Sequence, residues 1–150
     1  SGLLAREPGL RVVLLGGPAD QCIAQKILAA LPASDRSMIM DITGCFSLAE
    51  LPRALVSLSL LIGVDSGVTH MADALGTPLI CLAGPVDLGE VYESGTRRVL
   101  VTEPITCQPC SRVFDTPSEC HLGHRQCLKA INLERVVDLA IQMLGANLGR

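Results

Sequence analysis

An aliphatic run ends in an acid, a hydroxyl and a glycine, with a histidine one helical turn further on, in Leu60-Leu-Ile-Gly-Val-Asp65-Ser66-Gly67-Val-Thr-His70. These types in this order suit the binding of an anion. A buried strand that ends here would deliver the turn to the carboxyl edge of a sheet, where open α/β folds place their ligands. A helix opening at Gly67 adds unsatisfied N–H groups and a positive dipole end, and glycine lets the backbone approach a phosphate without a side chain in the way. The plainer reading makes Asp65 or Ser66 an N-cap and Gly67 a turn residue. Spacing alone leaves both open. Val68, Met71, Ala72 and Leu75 form an apolar stripe, and 3.6 residues per turn put His70 on the opposite side near Ser66, where a core histidine would not lie.

A second turn of the same kind is Leu15-Gly16-Gly17-Pro18-Ala19-Asp20. Its two glycines permit close backbone approach, and Asp20 could accept hydrogen bonds from ribose hydroxyls. Taken by itself, the turn reads better as a tight strand-to-helix connection capped by Asp20. Two such turns at equivalent edges of one sheet carry more weight together than apart.

The third group is Cys107, Cys110, Cys120 and Cys127, spaced C-x2-C-x9-C-x6-C. The first pair has the spacing with which two thiolates grip one tetrahedral metal, and the later two could complete a structural site. His121 and His124 are substitute ligands. The later spacings are not those of a standard zinc ribbon, so reduced thiols in an irregular loop stand as the other reading. Cys22, Cys45 and Cys81 lie inside apolar patterns and read as small core residues.

The elements that must position these groups follow from aliphatic runs alternating with helical patterns, the mark of βαβ units and a parallel sheet with helices on both faces. Strands are predicted at Arg11–Leu15, Met38–Ile42, Leu60–Val64, Leu79–Leu82 and Arg98–Thr102, and helices at Ala19–Leu31, Leu48–Ser59, Gly67–Leu75 and Leu133–Leu144. Ser47 and Glu50 have capping-box spacing, each satisfying the other's backbone donor, and Pro52 predicts local distortion of the helix they open. Leu133, Val136, Val137, Ala140, Ile141 and Leu144 form the buried stripe of the last helix. The stretch 104–130 is too long for an ordinary connection, which marks it as functional or cross-linked.

Composition sets the outer limits. A chain of 150 residues that is 49% hydrophobic can bury the core of one domain. Its core-formers are aliphatic, with no Trp, one Tyr and two Phe, so it lacks the rings of a single-strand base-stacking surface. A net charge of −3 with scattered Lys and Arg supplies no basic field, and nucleic acid is not an expected partner. The apolar stretch Ala54–Val64 is too short and too interrupted to span a bilayer, so no transmembrane segment is expected. Seven cysteines, an odd number, argue against a secreted disulfide scaffold and for a reducing cytoplasm.

Val12-Val-Leu-Leu-Gly-Gly-Pro-Ala-Asp20, Thr43-Gly44, Ser47-Leu-Ala-Glu50, Asp65-Ser-Gly-Val-Thr-His70-Met-Ala, Leu75-Gly-Thr-Pro78 and Gly84-Pro85-Val-Asp87 follow one another along the chain. In that order they closely resemble the C-terminal domain of the heptosyltransferase family, glycosyltransferase family 9, over about Leu10 to Leu144. The resemblance implies a Rossmann-like domain forming the C-terminal half of a two-domain (GT-B) enzyme. Such enzymes move heptose from ADP-heptose to the inner core of lipopolysaccharide, inverting the anomeric centre without a catalytic metal or other required cofactor. By motif, Ser66 and Gly67 would hold the diphosphate, Asp65 and His70 would meet the sugar and its phosphate, and Asp20 would bind ribose. Gly16 and Gly17 would form the neighbouring donor turn, and Phe46 part of the adenine pocket.

The same resemblance makes residues 1–9 a leader or linker and 10–150 the donor-binding domain. It puts the acceptor site, the catalytic base and a phosphate-side lysine in segments that this chain lacks, so no catalytic residue is expected within it. The lipopolysaccharide acceptor would be met through that other domain, with the enzyme cytoplasmic or peripheral at the inner face of the inner membrane. Similar enzymes that glycosylate autotransporter proteins hold iron in a four-cysteine finger, which makes zinc or iron the candidate ion here. Alternatives are such a protein heptosyltransferase, another GT-B nucleotide-sugar enzyme, or a non-catalytic nucleotide-binding module. Two departures stand out: Val86, where a small hydroxyl residue is frequent, and Asp73, in a stretch that is usually alanine-rich.

Overall fold

The computed structural model describes residues 2–91, 97–112, 114–115, 117 and 119–148. The chain forms two compact units, Ser1–Ala54 and Leu55–Arg150.

The first unit begins with a short helix α1 (Gly2–Arg6), inside the stretch read as a leader or linker. Strand β1 (Val12–Leu14) follows, then a 3-10 turn (Pro18–Asp20) leading directly into α2 (Gln21–Ala29). After α3 (Ala33–Arg36), β2 (Ile39–Asp41) returns parallel to β1, with Val12 opposite Ile39 and Leu14 opposite Asp41. This is one βαβ unit. Its core is thin: Ala24 is its only buried apolar residue among those described.

The second unit is built on β3 (Leu61–Val64), β4 (Leu79–Leu82) and β5 (Arg98–Val101), in that order and all parallel. Val64, Leu82 and Val101 lie in register, so the three strands end together and their following turns share one edge. The second unit's helices are α5 (Gly67–Ala74), α6 (Leu88–Val91), α7 (Gln126–Lys129) and α8 (Leu133–Leu148). α4 (Leu51–Val56) spans the boundary residue. Leu79, Ile80, Cys81 and Val101 are fully buried, so the central strand is covered on both faces up to Leu82, which is half-buried.

The parallel α/β class agrees with the sequence, and every strand falls inside its predicted span. The sheet is divided, two strands in one unit and three in the other. α4 starts at Leu51, later than predicted, so the missing N–H of Pro52 falls in the first turn and costs no helical hydrogen bond. The cap is one-sided: the Glu50 carboxylate accepts the Ser47 N–H at 2.9 Å, and the Ser47 hydroxyl donates to the same carboxylate at 2.6 Å. On α8 the stripe buries Val136, Ala140 and Leu144, while Leu133 in the first turn is 72% exposed. Cys81 is a core residue, but Cys22 and Cys45 are exposed.

Candidate functional site

The turn after β3 is held by Thr69. Ser66 is extended (φ −159°, ψ 167°) and caps α5, and its N–H donates to the Thr69 hydroxyl at 2.9 Å. That hydroxyl lies 2.7 Å from Ser66 O and 3.0 Å from Val64 O, so its proton is held between two carbonyls. Thr69 is 1% exposed, and a Cβ at position 63 would stand 2.7 Å from its methyl group. Gly63 therefore makes the room that lets Thr69 lock the turn. At the far end, Gly76 (φ +72°) closes the helix with N–H bonds from Gly76 to Asp73 O and from Thr77 to Ala72 O, both 3.0 Å.

Thr69 and Ala72 are the buried residues of α5, whereas Leu75 is 40% exposed, so the core-facing stripe is rotated from the one predicted. His70 lies off that buried face. Its Nε2 is 3.0 Å from Asp65 Oδ1, with the side chains 41% and 20% exposed. Two residues expected to meet the sugar and its phosphate are thus a joined pair at the start of α5. Around Gly67, a Cβ would meet nothing within 4 Å. The surrounding protein leaves space there.

In the first unit, the turn after β1 is closed by its own acid. Asp20 Oδ2 accepts the Gly17 N–H at 2.8 Å, and the Asp20 N–H returns to Gly17 O at 3.0 Å. The carboxylate lies over Gly16, where a Cβ would approach Oδ2 to 2.8 Å. Asp20 thus closes the 3-10 turn onto Gly17, while its side chain makes no cap bond to α2. The turn after β2 lies beside it: Gly44 (φ +74°) donates its N–H to Gly16 O at 2.8 Å. Asp41 shapes that second turn by accepting the Thr43 hydroxyl at 2.7 Å and the Thr43 N–H at 3.0 Å, and these bonds hold its carboxyl below the usual range. Phe46, two residues beyond Gly44, is 38% exposed.

The cysteine-rich stretch contains short helix α7 and no strand among the described residues. Cys107, Cys110, Cys120 and Cys127 line one cavity of about 210 Å³ together with His124. All four are free thiols. Burial, and then the nearness of Cys107, Cys120 and Cys127, push the Cys110 thiol up. The Cys120 thiol is pulled down by backbone N–H groups, that of Arg125 first and then that of Leu122, with those of His124 and Gly123 adding to them. Among the described residues no three His, Cys, Asp or Glu side chains stand in a metal-holding arrangement.

Residues 3–121 match the family model described as glycosyltransferase family 9 (heptosyltransferase). The chain belongs to that family. Lipooligosaccharide heptosyltransferase 2 of Haemophilus influenzae is 32% identical over 77 residues, which cover 51% of this chain and 22% of the relative. The protein of the same name from Haemophilus ducreyi is 25% identical over 146 residues, covering 92% of this chain and 39% of its own. The structure of Escherichia coli ADP-heptose lipopolysaccharide heptosyltransferase II matches with a TM-score of 0.75 at 22% identity, over 95% of this chain and 39% of that one. A glycosyltransferase family 9 structure from Veillonella parvula matches at 0.69 and 23% identity, over 91% and 37%. These likenesses show the fold. The chain spans between 22% and 39% of the length of these relatives.

Within this family 9 chain, the residues that sequence reasoning missed are Thr69 and Gly63. Ser66-x-x-Thr69 has the spacing of a cap interaction, and that signal was available. The two departures from the family pattern also find their places. Asp73 pairs with the Arg98 guanidinium on β5, whose side chain is 7% exposed, so this acid answers a buried cation. Val86 is 8% exposed and bridges Ser111 in parallel, so it packs under the cysteine segment.

Proposed function

We propose that this chain is the donor-binding domain of an inverting glycosyltransferase that moves heptose from ADP-heptose to the inner core of lipopolysaccharide. Family membership and the names of the relatives support the reaction class. The observation that carries the site is the Asp65–His70 pair, 3.0 Å apart at the capped start of α5 beside the open backbone of Gly67.

In the transfer, an acceptor hydroxyl oxygen bonds to the anomeric carbon as the bond from that carbon to the diphosphate oxygen breaks. Negative charge then grows on the departing ADP. The first-turn N–H groups of α5 and its dipole stabilise that charge, with Thr69 fixing their direction before the reaction begins. A protonated His70, anchored by Asp65, adds a cation beside the phosphates. The acceptor's proton goes to a carboxylate that the family resemblance puts in the preceding domain. Gly16, Gly17, Asp20 and Phe46 would serve ribose and adenine. Asp20 would have to accept ribose hydroxyls while still capping Gly17.

Calorimetry with ADP, UDP and GDP tests the reading. ADP is expected to bind best, and His70→Ala to weaken it about tenfold or more, the worth of a hydrogen bond to a charged group. Preference for UDP, or unchanged ADP affinity in His70→Ala, overturns it.

A further inference from the structure

The loop leaving β4, residues 84–87, is bound down by the chain that follows β5. Cys110 and Ser111 both donate N–H to Pro85 O at 3.0 Å, and the Asp87 N–H returns to Ser111 O at 3.1 Å. Between this loop and the residues after β5 lies a cavity of about 300 Å³. Val86, Pro104, Ile105 and Pro109 give it apolar walls, and Asp87, Thr102 and Gln108 supply its polar side chains. Apolar cavities of this size with a few placed polar groups are the kind that hold small molecules.

Gln108 is the unusual member. Its side-chain amide donates to Gly84 O and, at 2.9 Å, to Thr102 Oγ1, so both amide hydrogens are spent on tying the loop after β4 to the end of β5. The carbonyl oxygen of the same group is thereby fixed in direction, yet it is buried and has no hydrogen-bond partner among the described residues. A buried acceptor left unpaired is costly, and a water or a ligand usually meets it. Thr102 accepts from the Gln108 amide and keeps its hydroxyl proton to donate. Asp87 accepts the Gly89 N–H through Oδ1 and the Arg112 guanidinium through Oδ2, both at 3.1 Å, and each oxygen retains a lone pair. Among the described residues no cation lines the cavity, so an anion would meet the Asp87 carboxylate with no lining charge to offset it. Hydroxyl groups suit these atoms, and the C–H faces of a sugar ring suit the apolar walls.

Position decides which sugar this is. Val64, Leu82 and Val101 end in register, so the cavity lies at the same sheet edge as the turn that opens α5. Two strand spacings put the end of β5 about 10 Å from the end of β3, close enough for a sugar joined to a diphosphate at α5. We propose that this cavity receives the sugar ring of the donor, with Gln108 Oε1 and Asp87 accepting its hydroxyls and Thr102 donating to one, and that it selects a neutral, hydroxyl-rich ring. The inference rests on the donor assignment made above for the α5 turn. Oε1 is covered, so a sugar hydroxyl reaches it as the wall beside it yields, and Pro104 and Pro109 on that wall are exposed. Gln108 is then a specificity-determining residue, outside the Asp65–His70 pair.

Calorimetry with ADP and with ADP-heptose tests this, because the ratio of the two dissociation constants isolates what the sugar adds. In the parent, ADP-heptose is expected to bind about tenfold or more tighter than ADP, and Gln108→Leu to cut that ratio about three- to tenfold, the worth of a hydrogen bond. Ile105→Trp, which fills the cavity and leaves Gln108 in place, should bring the ratio close to one. Should either variant fail to fold, the parent decides by NMR: the side-chain amide resonances of Gln108 should move with ADP-heptose and stay still with ADP. A ratio near one in the parent, a ratio that survives in either folded variant, or a Gln108 amide that ignores the sugar overturns the cavity, and ADP binding then leaves the donor assignment standing. ADP that fails to bind the parent overturns that assignment and this inference with it.

Discussion

Thr69 supports the turn after β3 through one oxygen. It accepts the Ser66 N–H, returns its proton towards Val64 O and Ser66 O, and lies against the empty side of Gly63. Thr69→Val keeps the shape and deletes the hydroxyl, leaving the Ser66 N–H without this partner. The expected loss is about 1–3 kcal/mol in urea-induced unfolding, with weaker ADP binding, and Thr69→Ser should restore most of both. A valine variant as stable as the parent would show that the hydroxyl does not hold the turn. Asp73 teaches a related lesson. Its sequence context marked it as a departure in a usually alanine-rich stretch, yet its partner is Arg98, on a strand 25 positions away. A local pattern shows where a charge is, not which distant charge answers it.

At the scale of elements, the five strands were legible because parallel strands need apolar residues on both faces and so read as aliphatic runs. Their ends were less so, since turn hydrogen bonds decide where pairing stops. The predicted buried places of Cys22 and Cys45 failed for a related reason: small apolar residues suit either environment, and α2 buries only Ala24. The cap at Ser47 is legible in type but not in detail, and its detail has a pH signature. The Ser47 hydroxyl, then the Ser47 N–H, hold the Glu50 carboxyl below the usual glutamate range. A carboxyl depressed by folding contributes stability that is present above its unfolded pKa and lost as pH falls through the folded value. The start of α4 should therefore loosen only in acid, below the ordinary glutamate range. NMR titration of Glu50 checks this: its midpoint should be low in the parent and rise towards the ordinary value in Ser47→Ala. An unshifted midpoint in the parent would remove the cap from the account.

At the scale of the whole chain, stability should be distributed unevenly between the two units. The first rests on two paired strands of three residues each, with Ala24 as its buried apolar residue among those described, while Ile23, Ile27 and Met40 are 43% to 63% exposed. The second has three strands in register around the fully buried Leu79, Ile80 and Cys81. Composition gave no warning of this division, because aliphatic content is a sum over the chain and does not say which residues find cover. Two strands are marginal without further packing, and local opening tracks the apolar contact that must be broken. Native-state hydrogen exchange should find the amides of β1 and β2 opening at lower free energy than those of β4. ADP that binds the turn after β1 should raise protection in the first unit by mass action, while a nucleotide held only at α5 should leave it unchanged. Equal protection in both units before any ligand is added would refute the uneven distribution. Protection gained in the second unit alone would assign the nucleotide contacts to the Asp65–His70 turn and leave Asp20 purely a cap.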